Sequence, residues 1–347
     1  MAEERTFEGQ VFCGDDLDLR PARVVIQEGR ITAVEELRRA PLRWICPAFF
    51  NAHTHLGDTV AMDLPLTGDL VALVTPPHGL KHRILSTTPR QELVAGMKSA
   101  LTYMAEAGTA GCADFREGGA AGVAMLREAA AGLACQPVIF GREGGEQVAE
   151  GLGISSIRDV DDAEARVSAA KRAGKWIAFH AGERDAHDVD NALSFDPDLL
   201  IHCTHATDRQ LQECADRGIP IALCPRSNWT LGVTKSPSHP PVDKMRALGC
   251  SLLLGTDNVM FVPPDLFGEM SFLSTVYGVP PREVLHAAIA GGNHFTRTSV
   301  IAPGSPARFF CVKSGDSFLR FTRDPWMTFI KRVNRSDIEE NVLSYGR

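Results

Sequence analysis

Two histidines one residue apart, His53 and His55, follow an apolar run over residues 44–50 that predicts a buried strand. Side chains at positions i and i+2 of a strand point to the same side, so both imidazoles leave one face together. Imidazole is a preferred ligand of zinc and related metals. The pair therefore predicts half of a metal site, with chance surface or packing histidines as the alternative.

Polar side chains of the same chemical kind recur directly after three later apolar runs. They are His180 after residues 176–179, His202 after 199–201, and Asp257 after 251–254. Glu183 follows His180 by three residues. Such repetition is hard to reach by chance, so the later histidines, Asp257 and the first histidine pair are predicted to share one metal site.

The elements that position these residues alternate regularly from residue 88 onward. Strand-like runs cover 110–115, 137–140, 151–154, 176–179, 199–201, 221–223 and 251–254, with helical stretches at 120–131, 161–173, 208–217, 243–248 and 281–295. Counting the first histidine strand gives eight strands, which favours an α/β fold of the (β/α)8 TIM-type barrel class. A doubly wound open sheet is the alternative. In a barrel the carboxyl ends of the strands carry the chemistry.

The two ends of the chain have a different pattern. Residues 22–34 predict a hairpin, and residues 307–312 return to β-like patterning. We therefore expect residues 1–45 and 300–347 to form a small composite β-sandwich domain beside a barrel of residues 46–299. Residues 56–88 show no clear helix and several prolines and glycines, which is typical of a lid or substrate loop.

Composition limits the partners. The net charge of −7 argues against nucleic acid or an anionic membrane surface. The nine cysteines form no C-x-x-C pair, and their odd number favours reduced thiols over a disulfide framework. The charged amino terminus is unlike a signal peptide, and no apolar run reaches the ~18 residues needed to span a bilayer. These features predict a cytoplasmic protein.

Taken in order, the motifs resemble the amidohydrolase superfamily, and within it the deaminase and chlorohydrolase branch that includes cytosine, guanine and triazine hydrolases. The resemblance covers nearly the whole chain. It is carried by residues 47–56, 180–183, 202–205, 224–228, 254–257 and 301–307.

The resemblance implies one divalent metal, zinc first and iron second, held by His53, His55, His180 and Asp257. It implies that Asp257 takes a proton from the attacking water, that Glu183 shuttles a proton, and that His202 polarises the attacked centre. His205 is the alternative to His202. Binuclear members have a carboxylated lysine after the fourth strand, and residues 151–157 contain none, which favours a single metal. Ligation of a second metal by Glu143 is the alternative.

Several side chains at the expected active face suggest how a substrate is held. Arg142, Arg226 and Asn228 follow strands, and arginine forks match planar carbonyl or anionic groups. Rim ion pairs are the alternative role for these arginines. The predicted function is a metal-dependent aminohydrolase acting on a small nitrogen heterocycle such as a purine, pyrimidine or pterin. Amide or chloro-heterocycle hydrolysis, or an inactive metal-binding scaffold, are the alternatives, and a homo-oligomer is an open expectation.

Overall fold

A computed structural model describes residues 4–64, 70–76, 78–160, 162–296 and 300–343. Its strands are β1 Arg5–Cys13, β2 Asp18–Gln27, β3 Arg30–Glu36, β4 Arg43–Pro47, β5 Phe49–His55, β6 Thr109–Arg116, β7 Gln136–Gly141, β8 Gly151–Ile154, β9 Trp176–Ala181, β10 Leu199–His202, β11 Ile221–Leu223, β12 Leu252–Leu254, β13 Asp257–Asn258, β14 Phe309–Lys313 and β15 Ile338–Val342. Its α-helices are α1 Leu70–Val74, α2 Leu80–Thr87, α3 Arg90–Glu106, α4 Gly119–Ala130, α5 Ala163–Arg172, α6 Val189–Ser194, α7 Asp208–Asp216, α8 Pro225–Thr230, α9 Val242–Ala247, α10 Leu266–Val276, α11 Pro281–Phe295 and α12 Pro325–Arg332.

Nine strands form a parallel sheet in the order β12-β11-β10-β9-β8-β7-β6-β5-β13. Every run that the sequence predicts as a strand between residues 110 and 254 is present, including the four-residue run at β8. Helices follow most strands, so the prediction of an alternating α/β fold is confirmed. The strands are almost wholly buried because both faces are covered, as is usual for parallel sheets.

The two edges of this sheet are neighbours along the chain. Only Gly255 and Thr256 separate β12, at one edge, from β13, at the other. The amide of Gly255 donates to the carbonyl of Leu223 on β11 (2.9 Å), and the amide of Thr256 donates to the carbonyl of His53 on β5 (3.1 Å). The sheet therefore curls until its two ends meet beside the first histidine strand.

The inside of the curl is filled by side chains from seven strands. They form one buried cluster that includes Phe50, Ala52, Ala113, Phe115, Phe140, Ala178, Leu199, Ile201, Ala222 and Leu253. Phe115 and Phe140 stack with ring centroids 4.9 Å apart. The interior is thus a packed core on which the carboxyl ends of the strands rest.

A second sheet combines strands from both ends of the chain, in the order β15-β14-β4-β1-β2-β3. All its pairings are antiparallel except the one between β1 and β4. The predicted hairpin is present, with Glu28 and Gly29 in the left-handed region that a tight turn between strands requires.

The apolar run at residues 44–50 is two strands rather than the one predicted. β4 belongs to the terminal sheet and β5 to the parallel sheet, with Ala48 between them. The amide of Ala48 donates to Arg308 in one sheet region, and the amide of Phe49 donates to Gly108 in the other. Because both strands are buried, the hydrophobicity of the sequence does not show where the chain passes from one sheet to the other.

The expectation of a helix-free segment at residues 56–88 is wrong for the described part. A 3-10 helix spans Leu56–Ala61, and α1 and α2 follow it. These helices are too short to give a clear 3.6-residue period in the sequence. Residues 65–69 and 77 of this segment lie outside the described residues, as do Asp161 of the predicted helix 161–173 and residues 1–3 and 344–347 of the predicted terminal domain. None of the described helices has the length and apolar character that crossing a bilayer requires.

Replacing Gly255 by alanine tests the meeting of the sheet edges. A Cβ at this position would lie 2.8 Å from the Cβ and amide nitrogen of His53. Such overpacking costs about 1–3 kcal/mol, so we expect a lower free energy of unfolding in urea. Gly315→Ala is the control, because its Cβ would meet only Leu42 at ordinary contact distance. Equal stability of the two variants would contradict the tight approach.

Candidate metal centre and active-site cleft

The structure brings the predicted ligand residues together at the carboxyl ends of β5 and β9 and at the start of β13. Nε2 of His53 lies 3.1 Å from Oδ1 of Asp257 and 3.1 Å from Nε2 of His180. Nε2 of His55 lies 3.6 Å from the same Asp257 oxygen. Two overlapping groups, His53-His55-His180 and His53-His202-Asp257, offer ligand atoms within 4.8 Å of one another. All five residues are buried.

Hydrogen bonds to backbone carbonyls orient two of the imidazoles. Nδ1 of His55 is 3.1 Å from the carbonyl of Phe115, and Nδ1 of His180 is 3.0 Å from the carbonyl of Ile154. A carbonyl only accepts, so each Nδ1 carries the proton and each Nε2 presents its lone pair to the centre. The rings of His53 and His180 also pack edge-on against Phe115, which ties the centre to the core beneath it.

Burial keeps the imidazoles neutral. It lowers the pKa of His53 to about 4 and holds the pKa values of His55 and His180 well below their usual range. Burial opposes ionisation of Asp257, but the hydrogen bond with His53 and the nearby imidazoles outweigh it and hold the pKa of this carboxyl well below its usual range. The hydroxyl of Ser227 donates to its other oxygen at 2.6 Å.

This donor set fits a divalent cation. Nε2 of His180, which carries a lone pair, lies 3.1 Å from Nε2 of His53, and the ionised carboxylate of Asp257 is 3.1 Å from the same His53 nitrogen. Three nitrogens and one carboxylate oxygen are ligands that zinc accepts. The backbone at the site is held in an unusual conformation as well, since His202, Cys203 and Asp257 have positive φ angles of 71°, 47° and 63°.

Glu183 and His202 lie beside this centre. Oε1 of Glu183 is 3.7 Å from Nε2 of His202, and both line a cleft of about 570 Å³ above the predicted ligands. Burial is the main cause that raises the pKa of Glu183, and the charge of Asp257 adds to it. His205 instead packs against the ring of His239 at 5.1 Å and does not line this cleft. Of the two histidines, His202 is therefore the one that lies beside the predicted metal ligands.

The three predicted substrate-binding residues lie in different places. Arg142 lines the cleft and is 8% exposed, and its Nε has no hydrogen-bond partner among the described residues. Arg226 does not line it; its guanidinium pairs with buried Glu269 at 2.8 Å and donates to two backbone carbonyls. Asn228 is fully buried beneath the cleft and donates to the hydroxyl of Thr204 at 3.0 Å.

Sequence reasoning gave little weight to a buried charged network next to His55. Lys81, Glu117 and Asp58 belong to it, and all three are at most 5% exposed. The sequence offered only a weak signal, since these charges lie in stretches that read as loops. Glu143, the alternative second ligand, belongs to neither ligand group; its carboxylate accepts the amide of Gly118 at 3.0 Å.

Comparison with other sequences gives long matches. Residues 44–339 match the model described as the Amidohydrolase family. A protein of Methanothermobacter thermautotrophicus whose name assigns it to the aminohydrolases is 33% identical over 374 residues, covering 95% of each chain. A second protein so named, from Archaeoglobus fulgidus, is 34% identical over 302 residues and covers 86% of each chain. A 5-methylthioadenosine/S-adenosylhomocysteine deaminase of Halobacterium salinarum is 26% identical, covering 80% of this chain and 74% of its own.

Solved structures share the fold. An adenosine deaminase from Xanthomonas campestris with bound zinc superposes with a TM-score of 0.73 at 17% identity, covering 96% of this chain and 90% of its own. Atrazine chlorohydrolase from Arthrobacter aurescens, complexed with zinc, gives 0.77 at 16% identity, covering 96% and 94%. The family match over most of the length and the relatives above 30% identity agree with the order of motifs along the sequence. The chain therefore belongs to the amidohydrolase family.

Proposed function

We propose that this protein is a metal-dependent aminohydrolase that replaces the amino group of a nitrogen heterocycle, such as a purine, pyrimidine or pterin, with oxygen from water. The observation that carries the proposal is the convergence of three neutral imidazoles and an ionised carboxylate beneath a cleft that also contains Glu183. The names of the aminohydrolase and deaminase relatives support the same reaction class.

His53, His55, His180 and Asp257 would hold one divalent cation, with zinc as the first choice and iron as the second. When bound, the metal supplies a Lewis acid that makes water a nucleophile near neutral pH. The zinc-bound structural neighbours and the orientation of the Nε2 lone pairs support this assignment.

The other side chains manage protons. In the reaction a carbon–oxygen bond to water forms and the carbon–nitrogen bond breaks; of the two protons of water, one goes to the ring nitrogen and the other leaves with the amino group as ammonia. Asp257 accepts the first proton, while Ser227 holds its second oxygen in place. Glu183, whose pKa is raised by burial, carries a proton to the ring nitrogen and to the departing amino group. His202, 3.7 Å from Glu183, polarises the attacked centre.

We also infer the finer architecture. The short pieces β12 and β13 together act as one interrupted strand, which makes the parallel sheet a closed (β/α)8 barrel of eight strands. The terminal segments, described over residues 4–45 and 300–343, form a separate β domain, with β4 extending it to residue 47. The nine cysteines are all buried free thiols, which supports a reducing compartment such as the cytoplasm.

Removing the metal tests the assigned ligands. A ligand that binds only the folded state stabilises it by about 2.7 kcal/mol when present at 100 times its Kd. We expect chelation to lower the melting temperature by several degrees and one equivalent of zinc per chain to restore it, with metal analysis as the second measurement. A chain that binds no divalent metal would contradict the proposal.

Glu183→Gln tests the proton shuttle. A positioned general acid/base contributes about 10²–10⁴-fold, so we expect kcat for ammonia release to fall by that factor while zinc content stays unchanged. The substrate is first sought by measuring ammonia release across bases, nucleosides and pterins, with chloro-heterocycles and amides as the competing classes. Glu143→Gln is the control, because this exposed carboxylate lies in neither ligand group. Full turnover by the Glu183 variant would remove the assignment.

Arg142→Met and Arg226→Met form a matched pair that separates binding from stability. Arg142 lines the cleft with an unpartnered Nε, while its Nη2 lies 3.3 Å from Nδ1 of His180. With the variant fully loaded with zinc, loss of this side chain is expected to raise KM about 10- to 100-fold, the range for a hydrogen bond to a charged group. Loss of Arg226 leaves buried Glu269 unpaired and is expected to lower the free energy of unfolding by about 3–5 kcal/mol, with KM unchanged. An unchanged KM in the Arg142 variant would assign this arginine a structural role instead.

A further inference from the structure

Lys81 is a buried lysine that connects three parts of the chain at the metal centre. It lies in α2 and is 2% exposed. Its Nζ is 2.7 Å from Oε1 of Glu117 after β6, donates to Oδ1 of Asn258 on β13 at 3.0 Å, and lies 3.8 Å from Oδ2 of Asp58. All these partners are buried, so solvent screens the contacts little.

Two of these partners adjoin predicted metal ligands. Oε1 of Glu117, the oxygen that Lys81 contacts, is 2.9 Å from Nδ1 of His55. The proton of this nitrogen is donated to the carbonyl of Phe115, and the nearby carboxylate charge favours the same tautomer and ring orientation. Asn258 directly follows Asp257 and pairs with His55 in the register between β13 and β5. Lys81 is therefore one side chain away from both His55 and Asp257.

The burial of this charge is costly and needs a reason. If α2 only had to be anchored, apolar side chains could serve, since they often replace buried ion pairs without loss of stability. The pair is instead built into a network: Arg116 contacts the other oxygen of Glu117, and Arg142 lies 3.7 Å from the first. Each contact restrains the rotation of the Glu117 carboxylate and thereby of the imidazole that it faces.

The segment carrying Lys81 also forms one wall of the cleft. Val74, Thr75, Pro76 and Lys81 all line it. Away from the centre, Arg184 donates to the hydroxyl of Thr75 at 2.6 Å. Thr75 of this segment therefore makes an exposed contact with Arg184 at the rim of the cleft, and Lys81 makes buried contacts at the base of the cleft.

We propose that Lys81 is a positioning residue for the metal centre. It holds Glu117 against His55 and fixes the side chain of Asn258, the residue that follows Asp257, and it thereby couples docking of α2 to metal binding. The inference rests on the proposed function, because it takes these residues as ligands. Coupling is reciprocal, so a docked helix favours the metal and the bound metal favours the docked helix.

Lys81→Met, with Arg83→Met as the matched control, tests the first half of the coupling. Arg83 is exposed on the same helix, so both variants remove one positive charge from α2. We expect zinc affinity, measured by competition with a chromophoric chelator, to fall about 10- to 100-fold for Lys81→Met and Glu117→Gln, the usual range for partners of a ligating histidine. The cobalt(II)-loaded Lys81 variant should show a changed visible absorption spectrum, whereas Arg83→Met should match the wild type.

Hydrogen–deuterium exchange tests the second half. We expect zinc to slow exchange of the amides of residues 80–87 in the wild type and in Arg83→Met, and to have no such effect in Lys81→Met. If Lys81→Met does not fold, exchange of the wild type with and without zinc tests the coupling, because coupling requires zinc to slow exchange of the amides of residues 80–87. A Lys81 variant that is less stable but binds zinc with wild-type affinity and spectrum would overturn the proposal. So would wild-type exchange that is insensitive to zinc. Absence of zinc binding by the wild type would instead contradict the proposed function.

Discussion

Buried imidazole nitrogens and a carboxylate that converge on one point are the constraint on which the rest of the structure depends. Nε2 of His53 lies 3.1 Å from Nε2 of His180 and from an oxygen of Asp257, and burial keeps the imidazoles neutral. Burying so many polar atoms together is unfavourable unless each of them has a partner, and one shared divalent cation would serve them all. The protein supports the arrangement from below through the packed interior around Phe115 and from the side through backbone carbonyls that hold Nδ1 of His55 and His180.

The way the sheet closes explains why the ligands meet. The two-residue interruption at Gly255 lets the chain leave β12 beside β11 and pass β5 at a distance that no Cβ would permit, so Asp257 arrives directly beside the histidine strand. Positive φ angles at His202 and Asp257 turn these side chains at the strand ends. Such conformations are unfavourable for residues other than glycine. These unfavourable backbone conformations lie at the proposed metal site, whereas the strands below it are regular.

The sequence predicted the parts of the structure that follow a local rule. The alternation of apolar runs with helical stretches predicted the strands of the parallel sheet. The polar residues that follow those runs predicted which side chains converge at the centre. The missed features depend on long-range contacts. Lys81 and Glu117 are charged residues in loop-like stretches, and only the fold shows that they are buried together. Arg226 follows a strand as Arg142 does, but it does not line the cleft, because its guanidinium is hydrogen-bonded to Glu269, 43 residues later on α10. The missed helix α10 is apolar on most sides, so it lacks the polar face that periodicity detects.

The leaving group decides between the reactions that such a centre can support. Attack of water on a ring carbon is common to deamination and to loss of chloride, so the metal ligands do not separate the two. Chloride departs as a stable anion, whereas an amino group must first be protonated, because the amide anion is far too basic to leave. In the proposed reaction a carboxyl group with a raised pKa at the wall of the cleft would supply that proton, and Glu183 has this character. Its Oε1 lies 3.7 Å from Nε2 of His202, beside the predicted ligands. The site is thus better equipped to expel ammonia than an anion that needs no proton.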